Sequence, residues 1–370
     1  MGTAYLTPMR AFLLLPLLFV LAASDVRLPA PVDPAGYEVH DRAKVELGRL
    51  LFYDRVLSGD YRVSCASCHH HRQASSNGFL VATDDRPALD PRAAGAFLSE
   101  YRKLNPSADH APSLFNLGHR SFDALFHDRR VRRKDGCIVS PLDDDLPDGI
   151  ESLLAAQALV PAVTTGEQAG NGHGNALERA TEMGRDAAFR LLEDRIADLS
   201  DYRPYFEAAY PGVTQGGGRI RIHHVANAIG AFVATEWRAD DSPFDRHLRG
   251  RAVITGEAKR GMDLFHGTAG CAACHANAFG TDGRIHPAIT PSPRFAAVRT
   301  PSLRNVARTG PWGHFGRYDT LDALLAAHAP KVEADERAAL IVFLKTMTDE
   351  ASLKGRLGPP KEVPSYLALD

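Results

Sequence analysis

Apolar residues recur at helical spacing in three places along the 370-residue chain. Ala43, Leu47, Leu50 and Leu51 fall at i, i+4, i+7 and i+8, which is one face of a helix. Val225, Ile229, Phe232 and Val233 repeat the pattern, on a helix expected to lie on the interdomain side. Leu340, Phe343, Leu344 and Met347 make a third stripe. Thr255 and Thr320 stand where a hydroxyl N-cap would open a helix. No stretch keeps the period-two alternation of a half-buried strand, so the predicted class is mainly α.

Polar interruptions divide this pattern. The glycine-rich break over 211–218 predicts a domain boundary. It separates an N-terminal domain over 37–211 from a C-terminal domain over 219–350, followed by an extended tail over 351–370. The Pro-rich stretch Gly358-Pro359-Pro360 with Pro364 predicts that this tail lies on the body or frays. Segments 135–149 and 164–174 are long enough to be surface insertions or lids. At the N-terminus, Arg10 precedes an apolar run over 11–21 and the small residues Ala22-Ala23-Ser24. That order predicts a signal peptide over 1–23. The run is broken by Pro16 and falls short of the ~20 residues a spanning helix needs, and no Cys follows it to carry a lipid. The expectation is export to the periplasm with no stable membrane anchor.

Composition adds little. Formal net charge is −2 with 24% charged residues, and no basic recognition motif points to nucleic acid. The cysteines change the picture. Cys65-Ala66-Ser67-Cys68-His69 and Cys271-Ala272-Ala273-Cys274-His275 are two C-x-x-C-H words, the attachment pattern of a c-type haem. Two thiols three residues apart on one turn can add to the two vinyl groups of the macrocycle. The adjoining imidazole, His69 or His275, then reaches the iron from the same side. Read as a Cys₄ zinc ribbon, the pairs would normally lie closer in sequence and would need no His after each. Read as redox dithiols, they would leave the duplicated His unexplained. Export fits haem attachment outside the inner membrane. The fifth cysteine, Cys137, is left over and is expected to be buried and inert.

Around these words the chain resembles the bacterial di-haem cytochrome c peroxidase/MauG family, from about Val39 to about Thr348. The similarity runs in order through Leu47-Gly48-Arg49-Leu50-Leu51-Phe52-Tyr53-Asp54, Ala111-Pro112-Ser113-Leu114-Phe115-Asn116 and Phe126-His127-Asp128-Arg129. It continues through Gln157-Ala158, Glu182-Met183, Asp241-Ser242-Pro243-Phe244-Asp245 and Thr300-Pro301-Ser302-Leu303-Arg304-Asn305-Val306. The resemblance implies two cytochrome c-like domains, each with one covalent haem c. One haem would be open to hydrogen peroxide and the other would transfer electrons. It implies Glu182 as distal acid–base and Gln157 as its hydrogen-bonding partner, across a longer insertion than the family's motif has.

The chain also departs from the family. No His stands between His71 and His110, so the closing ligand of many family peroxidases is missing and the first site should stay open. His110 itself, where the family has Asn, reads as a surface or structural His, with a swing onto the iron as the alternative. Where the family reads Pro-Tyr-Met-His-Asp-Gly, this chain has Pro311-Trp312-Gly313-His314-Phe315-Gly316. Gly313 offers no donor and a neutral indole no lone pair, which points to His314 as sixth ligand of the second haem. Tyr318, His286 or an open position are the alternatives. His127 replaces a Trp that the family places between the haems. Calcium between the domains would have to bind through water and carbonyls, because His110 removes the Asn oxygen.

The implied activity is reduction of hydrogen peroxide with electrons from a small cytochrome c or cupredoxin. The alternatives are MauG-like oxidation of a partner protein's side chains and a non-catalytic di-haem electron carrier.

Overall fold

The computed structural model describes residues 27–76, 110–170, 174–216, 218–289, 291 and 296–369. The expected signal peptide lies outside the described residues, as do most of the residues between His71 and His110. Among the described residues no helix is long and apolar enough to cross a membrane.

The helical stripes fold as their spacing predicts. Helix α1 (Arg42–Tyr53) opens at Asp41, whose carboxylate accepts the Ala43 and Lys44 amides at 2.8 and 3.1 Å. That N-cap supplies partners to amides the helix cannot satisfy itself. Cys65–Cys68 is a single turn, α2. Helices α3 (Leu153–Ala162), α4 (Ala176–Met183), α5 (Arg185–Asp198), α6 (Arg203–Ala209) and α7 (Ile222–Glu236) follow. After them come α8 (Pro243–Leu248), α9 (Gly256–His266), α10 (Leu321–His328) and α11 (Ala334–Lys345). Thr320 caps α10, its hydroxyl accepting from the Ala323 amide. Thr255 precedes α9 without a side-chain capping bond. Short 3₁₀ turns and two small antiparallel sheets complete the described elements. One joins β1 (Ala124–Leu125), β2 (Val131–Lys134) and β3 (Cys137–Val139). The other pairs β4 (Ile285–Pro287) with β5 (Ala297–Arg299).

Two large apolar cores result. The first joins Leu47, Leu51 and Phe52 of α1 to Ile229 and Phe232 of α7 and to Leu154 and Leu159 of α3. The second joins Met262 and Phe265 of α9 to Leu340, Phe343 and Leu344 of α11. Both rest on a glycine at a helix crossing. A Cβ on Gly48 would stand 1.8 Å from the Ala228 carbonyl oxygen, and one on Gly261 would stand 2.0 Å from that of Ala339. Only a residue without a side chain lets those backbones approach so closely.

Packing divides the chain later than the glycine-rich break suggests. Helix α7 lies wholly in the first core, and the second core begins at Phe244. Residues 211–216 of that break form a surface turn inside one packing unit. The tail also returns to the first core. Val363 is buried there, and the Ser365 hydroxyl donates to Asp54 at 2.6 Å. Glu236 accepts the amides of Arg356, Leu357 and Gly358 at 2.7–3.1 Å. Cys137, expected to be buried, is exposed on β3. It follows the tight turn Asp135-Gly136, both residues at positive φ, which lifts the hairpin tip into solvent.

A fully buried ion pair sets the start of the second core. Arg304 donates to both carboxylate oxygens of Asp245, at 2.5 and 2.7 Å, and to the Ser242 hydroxyl at 2.9 Å. Asp245 also accepts the Ser242 amide at 2.9 Å, closing the N-terminus of α8. Removing one partner leaves an uncompensated buried charge, which typically costs 3–5 kcal/mol. Arg304→Met should therefore lower unfolding free energy by about that much in urea titration. Arg308→Ala, which breaks an exposed pair with Glu350, should cost about 1 kcal/mol or less. Equal effects would refute the assignment.

Candidate functional site

The two C-x-x-C-H words adopt the same local geometry on different elements. In the first, the Ser64 amide donates to the Ser67 hydroxyl at 2.8 Å, opening the turn α2. The His69 amide then donates to the Cys65 carbonyl at 3.0 Å. In the second, Gly270 in the left-handed region starts a short 3₁₀ turn, and the His275 amide donates to the Cys271 carbonyl at 3.0 Å. All four cysteines are partly buried.

Both imidazoles are oriented by backbone. His69 Nδ1–H donates to the Ser75 carbonyl at 3.0 Å, and His275 Nδ1–H donates to the Gly280 carbonyl at 2.8 Å. This fixes the tautomer and leaves Nε2 with the free lone pair, as an axial iron ligand requires. Burial holds both rings neutral. It pulls His275 down to about 4 and lowers His69, partly offset by carbonyls of Ser75 and Pro112. Aiming the Ser75 carbonyl requires a tight return of the chain, with Ala74 and Ser75 at φ 51° and 56°. Residues with side chains at such angles cost about 1–2 kcal/mol each. The Ser75 hydroxyl receives the Leu114 amide at 2.9 Å, and Ser113 donates to the Ala74 carbonyl at 3.0 Å, locking the turn. The donor set fits a c-type haem at each word. A joint Cys₄ zinc site does not fit, because Cys65 packs on the first core and Cys271 on the second.

The remaining predicted residues are placed less uniformly. Gln157 is half-buried on α3. Glu182 is exposed in the last turn of α4, beside Met183, and no described contact links it to Cys65–His69. The segment that does reach the first word is the turn after α3. Pro161 sits one residue before the helix end, and its carbonyl accepts the amides of Thr164 and Gln168. The chain thereby folds back and Gln168 Nε2 contacts Cys65 Sγ at 3.6 Å. The Gly59 amide donates to the Gln168 carbonyl at 2.8 Å, and Asn175 Nδ2 donates to the Ala169 carbonyl at 2.9 Å. Half-buried Glu167 is part of this clamped turn. Sequence reading passed it over, although it lies ten residues from Gln157 while Glu182 lies across the insertion.

In the second domain His314 stands at the seam between the cores. Its ring meets that of His127 edge-on with centroids 4.1 Å apart, and its carbonyl accepts the His110 amide at 3.0 Å. His110 is a structural bridge, its ring hydrogen-bonded to the Ser76 hydroxyl at 2.9 Å and the Thr309 carbonyl at 3.2 Å. His286 has both ring nitrogens engaged beside Cys274. Nδ1 lies 3.8 Å from Cys274 Sγ, and Nε2 pairs with Asp282 at 2.8 Å. The Tyr318 ring fills the space over Gly313, within 2.9 Å of where a Cβ would stand at φ 83°. A methionine at 313 would displace it. Trp312 Nε1–H donates to the Val306 carbonyl at 2.8 Å, so its indole is fixed as a packing residue.

Comparisons with known proteins place the chain in a family. The family model for di-haem cytochrome c peroxidase matches residues 42–253. Cytochrome-c peroxidase IdrP2 of Pseudomonas sp. (strain SCT) is 25% identical over 389 aligned residues, covering 90% of this chain and 89% of the relative. Methylamine utilization protein MauG of Methylorubrum extorquens is 28% identical over 340, covering 83% and 78%. Among solved structures, the diheme peroxidase BthA from Burkholderia thailandensis shares the fold at a TM-score of 0.59 and 21% identity. That alignment covers 92% of this chain and 94% of BthA. With the family model matched over more than half its length, the chain belongs to the di-haem cytochrome c peroxidase family of haem oxidoreductases.

Proposed function

We propose that this protein is a periplasmic di-haem peroxidase that reduces hydrogen peroxide with electrons from a small redox protein. The observation carrying the proposal is the pair of backbone-oriented neutral imidazoles, His69 and His275, each directly following two cysteines and each on its own core. When bound, haem supplies an iron at which the peroxide O–O bond is cleaved and a second iron through which electrons arrive. Cys65, Cys68 and His69 would hold the first, and Cys271, Cys274 and His275 the second. The protein's own task at the first centre is to move a proton from one peroxide oxygen to the other. Glu167 is our candidate for that carboxylate, because its neighbour Gln168 contacts Cys65. Glu182, exposed at the end of α4, is the alternative that the family's Glu-Met word suggests. Gln157 on α3 would orient the peroxide.

The cofactor assignment is checked by mass. The intact protein should carry two haems that survive acid–acetone extraction. A colourless chain, or one with a single haem, would overturn it.

The carboxylate assignment is checked by rapid mixing with stoichiometric peroxide. General acid–base groups contribute about 10²–10⁴-fold. Glu167→Gln should slow the spectral change by that factor with the resting spectrum intact, and Glu182→Gln should react at the wild-type rate. The reverse result would return the role to Glu182.

His314 is proposed as sixth ligand of the second haem. His314→Ala should convert the low-spin paramagnetic resonance signal of that centre to high-spin. If the signal persists, another residue binds the iron. MauG-like oxidation of a partner's side chains remains the second reading. It is separated by whether peroxide consumption requires an added electron donor.

A further inference from the structure

The hairpin formed by β2 and β3 has no role in holding either centre, yet it is the most basic exposed element described. Residues 128–134 read Asp-Arg-Arg-Val-Arg-Arg-Lys. Arg133 and Lys134 are exposed and Arg132 is half-buried. Arg130 lies over the Phe126 ring, its guanidinium 3.7 Å from the centroid, and pairs with Asp128. At the base of the hairpin Arg129 reaches across the seam to the Gly283 carbonyl. The next residues there, Arg284 and Ile285, are exposed, Ile285 to 43%. Ile285 begins β4, and its neighbour His286 lies 3.8 Å from the Cys274 sulfur.

We infer that the hairpin and the adjoining start of β4 form the docking surface for an acidic electron-donor protein. This rests on the peroxidase reading and supplies the partner's chemistry. Four arginines and a lysine against two aspartates over 128–135, with Asp123 paired to Arg129, leave a positive field on a chain whose net charge is −2. Such a field steers an acidic partner and rejects a basic one. Ile285 supplies the apolar contact beside the basic ribbon, and β4 runs directly from it to a cysteine of the second haem word. Each encounter moves one electron, oxidising the donor's metal by one. Two encounters, with two protons from solvent, convert one hydrogen peroxide to two waters.

The test uses the haem-loaded protein and a variant in which Arg132, Arg133 and Lys134 are all changed to Glu. The probes are a reduced acidic cupredoxin, a basic mitochondrial-type cytochrome c, and phosphatidylglycerol vesicles. A spin label on Cys137, the one cysteine outside the haem words and exposed on β3, reports docking independently of turnover. The acidic cupredoxin should reduce the wild type at a rate that falls with ionic strength. The variant should be reduced about 10–100-fold more slowly at low salt, and the label should lose mobility only in the wild type. Reaction with peroxide in the absence of donor should be unchanged. Equal reduction rates across salt, preference for the basic cytochrome, or tight vesicle binding would each overturn the proposal. If the wild type fails to react with peroxide, the peroxidase reading falls, and the immobilisation of the label still decides the docking surface.

Discussion

Everything at the two centres depends on one short hydrogen bond, from the Nδ1–H of a buried imidazole to a backbone carbonyl five or six residues further on. An axial ligand must be neutral, must present Nε2, and must not rotate. A buried ring without that bond would meet only the first of these demands. The bond in turn dictates local structure. After His69 the chain must double back within six residues, which it does through two consecutive left-handed residues, Ala74 and Ser75. After His275 the Asn277 side chain accepts the Phe279 amide at 2.8 Å, and the chain turns at Gly280, φ 67°. The strain at Ala74 and Ser75 is offset by the Ser75 hydroxyl and by Ser113, and this is why the segment after residue 110 must pack on the first word.

The same logic explains why distant sequence words travel together. Asp241-Ser242-Pro243-Phe244-Asp245 and the stretch through Arg304 flank the second haem word in sequence, and in space they are the two halves of one buried ion pair. An Asn in each of two such words, Asn116 and Asn305, has a comparable role. Asn116 accepts from the Tyr37 hydroxyl and the Ala239 amide, and its own amide donates to the Ala239 carbonyl. Asn305 accepts the Asp349 amide and donates to Ser352. Both sit in the left-handed region, which a short polar side chain tolerates best. Neither is a catalytic group. They tie the turns on which the centres stand.

Much of this was legible in the chain, for a physical reason. Haem attachment requires particular atoms at fixed spacing, and amphipathic helices require a period of 3.6, so both leave marks in sequence. The helices over 42–53, 222–236 and 334–345 form where their stripes predict. What sequence did not reveal was non-local. The apolar face of 222–236 says that the helix is buried but not against what, and it packs across Gly48 of the first core. A glycine-rich break marks a turn, and a turn becomes a domain boundary only if the cores separate there. The turn after Pro161 brings Gln168 to Cys65, a contact that no local word marks. Cys137 looked like a small hydrophobe, and only the hairpin turn put it outside.

The seam between the cores bears on which chemistry this family member performs. Rings from both halves meet there, among them the imidazoles of His127 and His314 and the pair His119 and Phe279. Both tryptophans lie elsewhere. Trp237 is buried against Phe52 and Phe232 in the first core, and Trp312 is pinned to the Val306 carbonyl. Imidazole is much harder to oxidise than indole, so His127 would be a poorer relay for an electron hole than the Trp that the family places at its position.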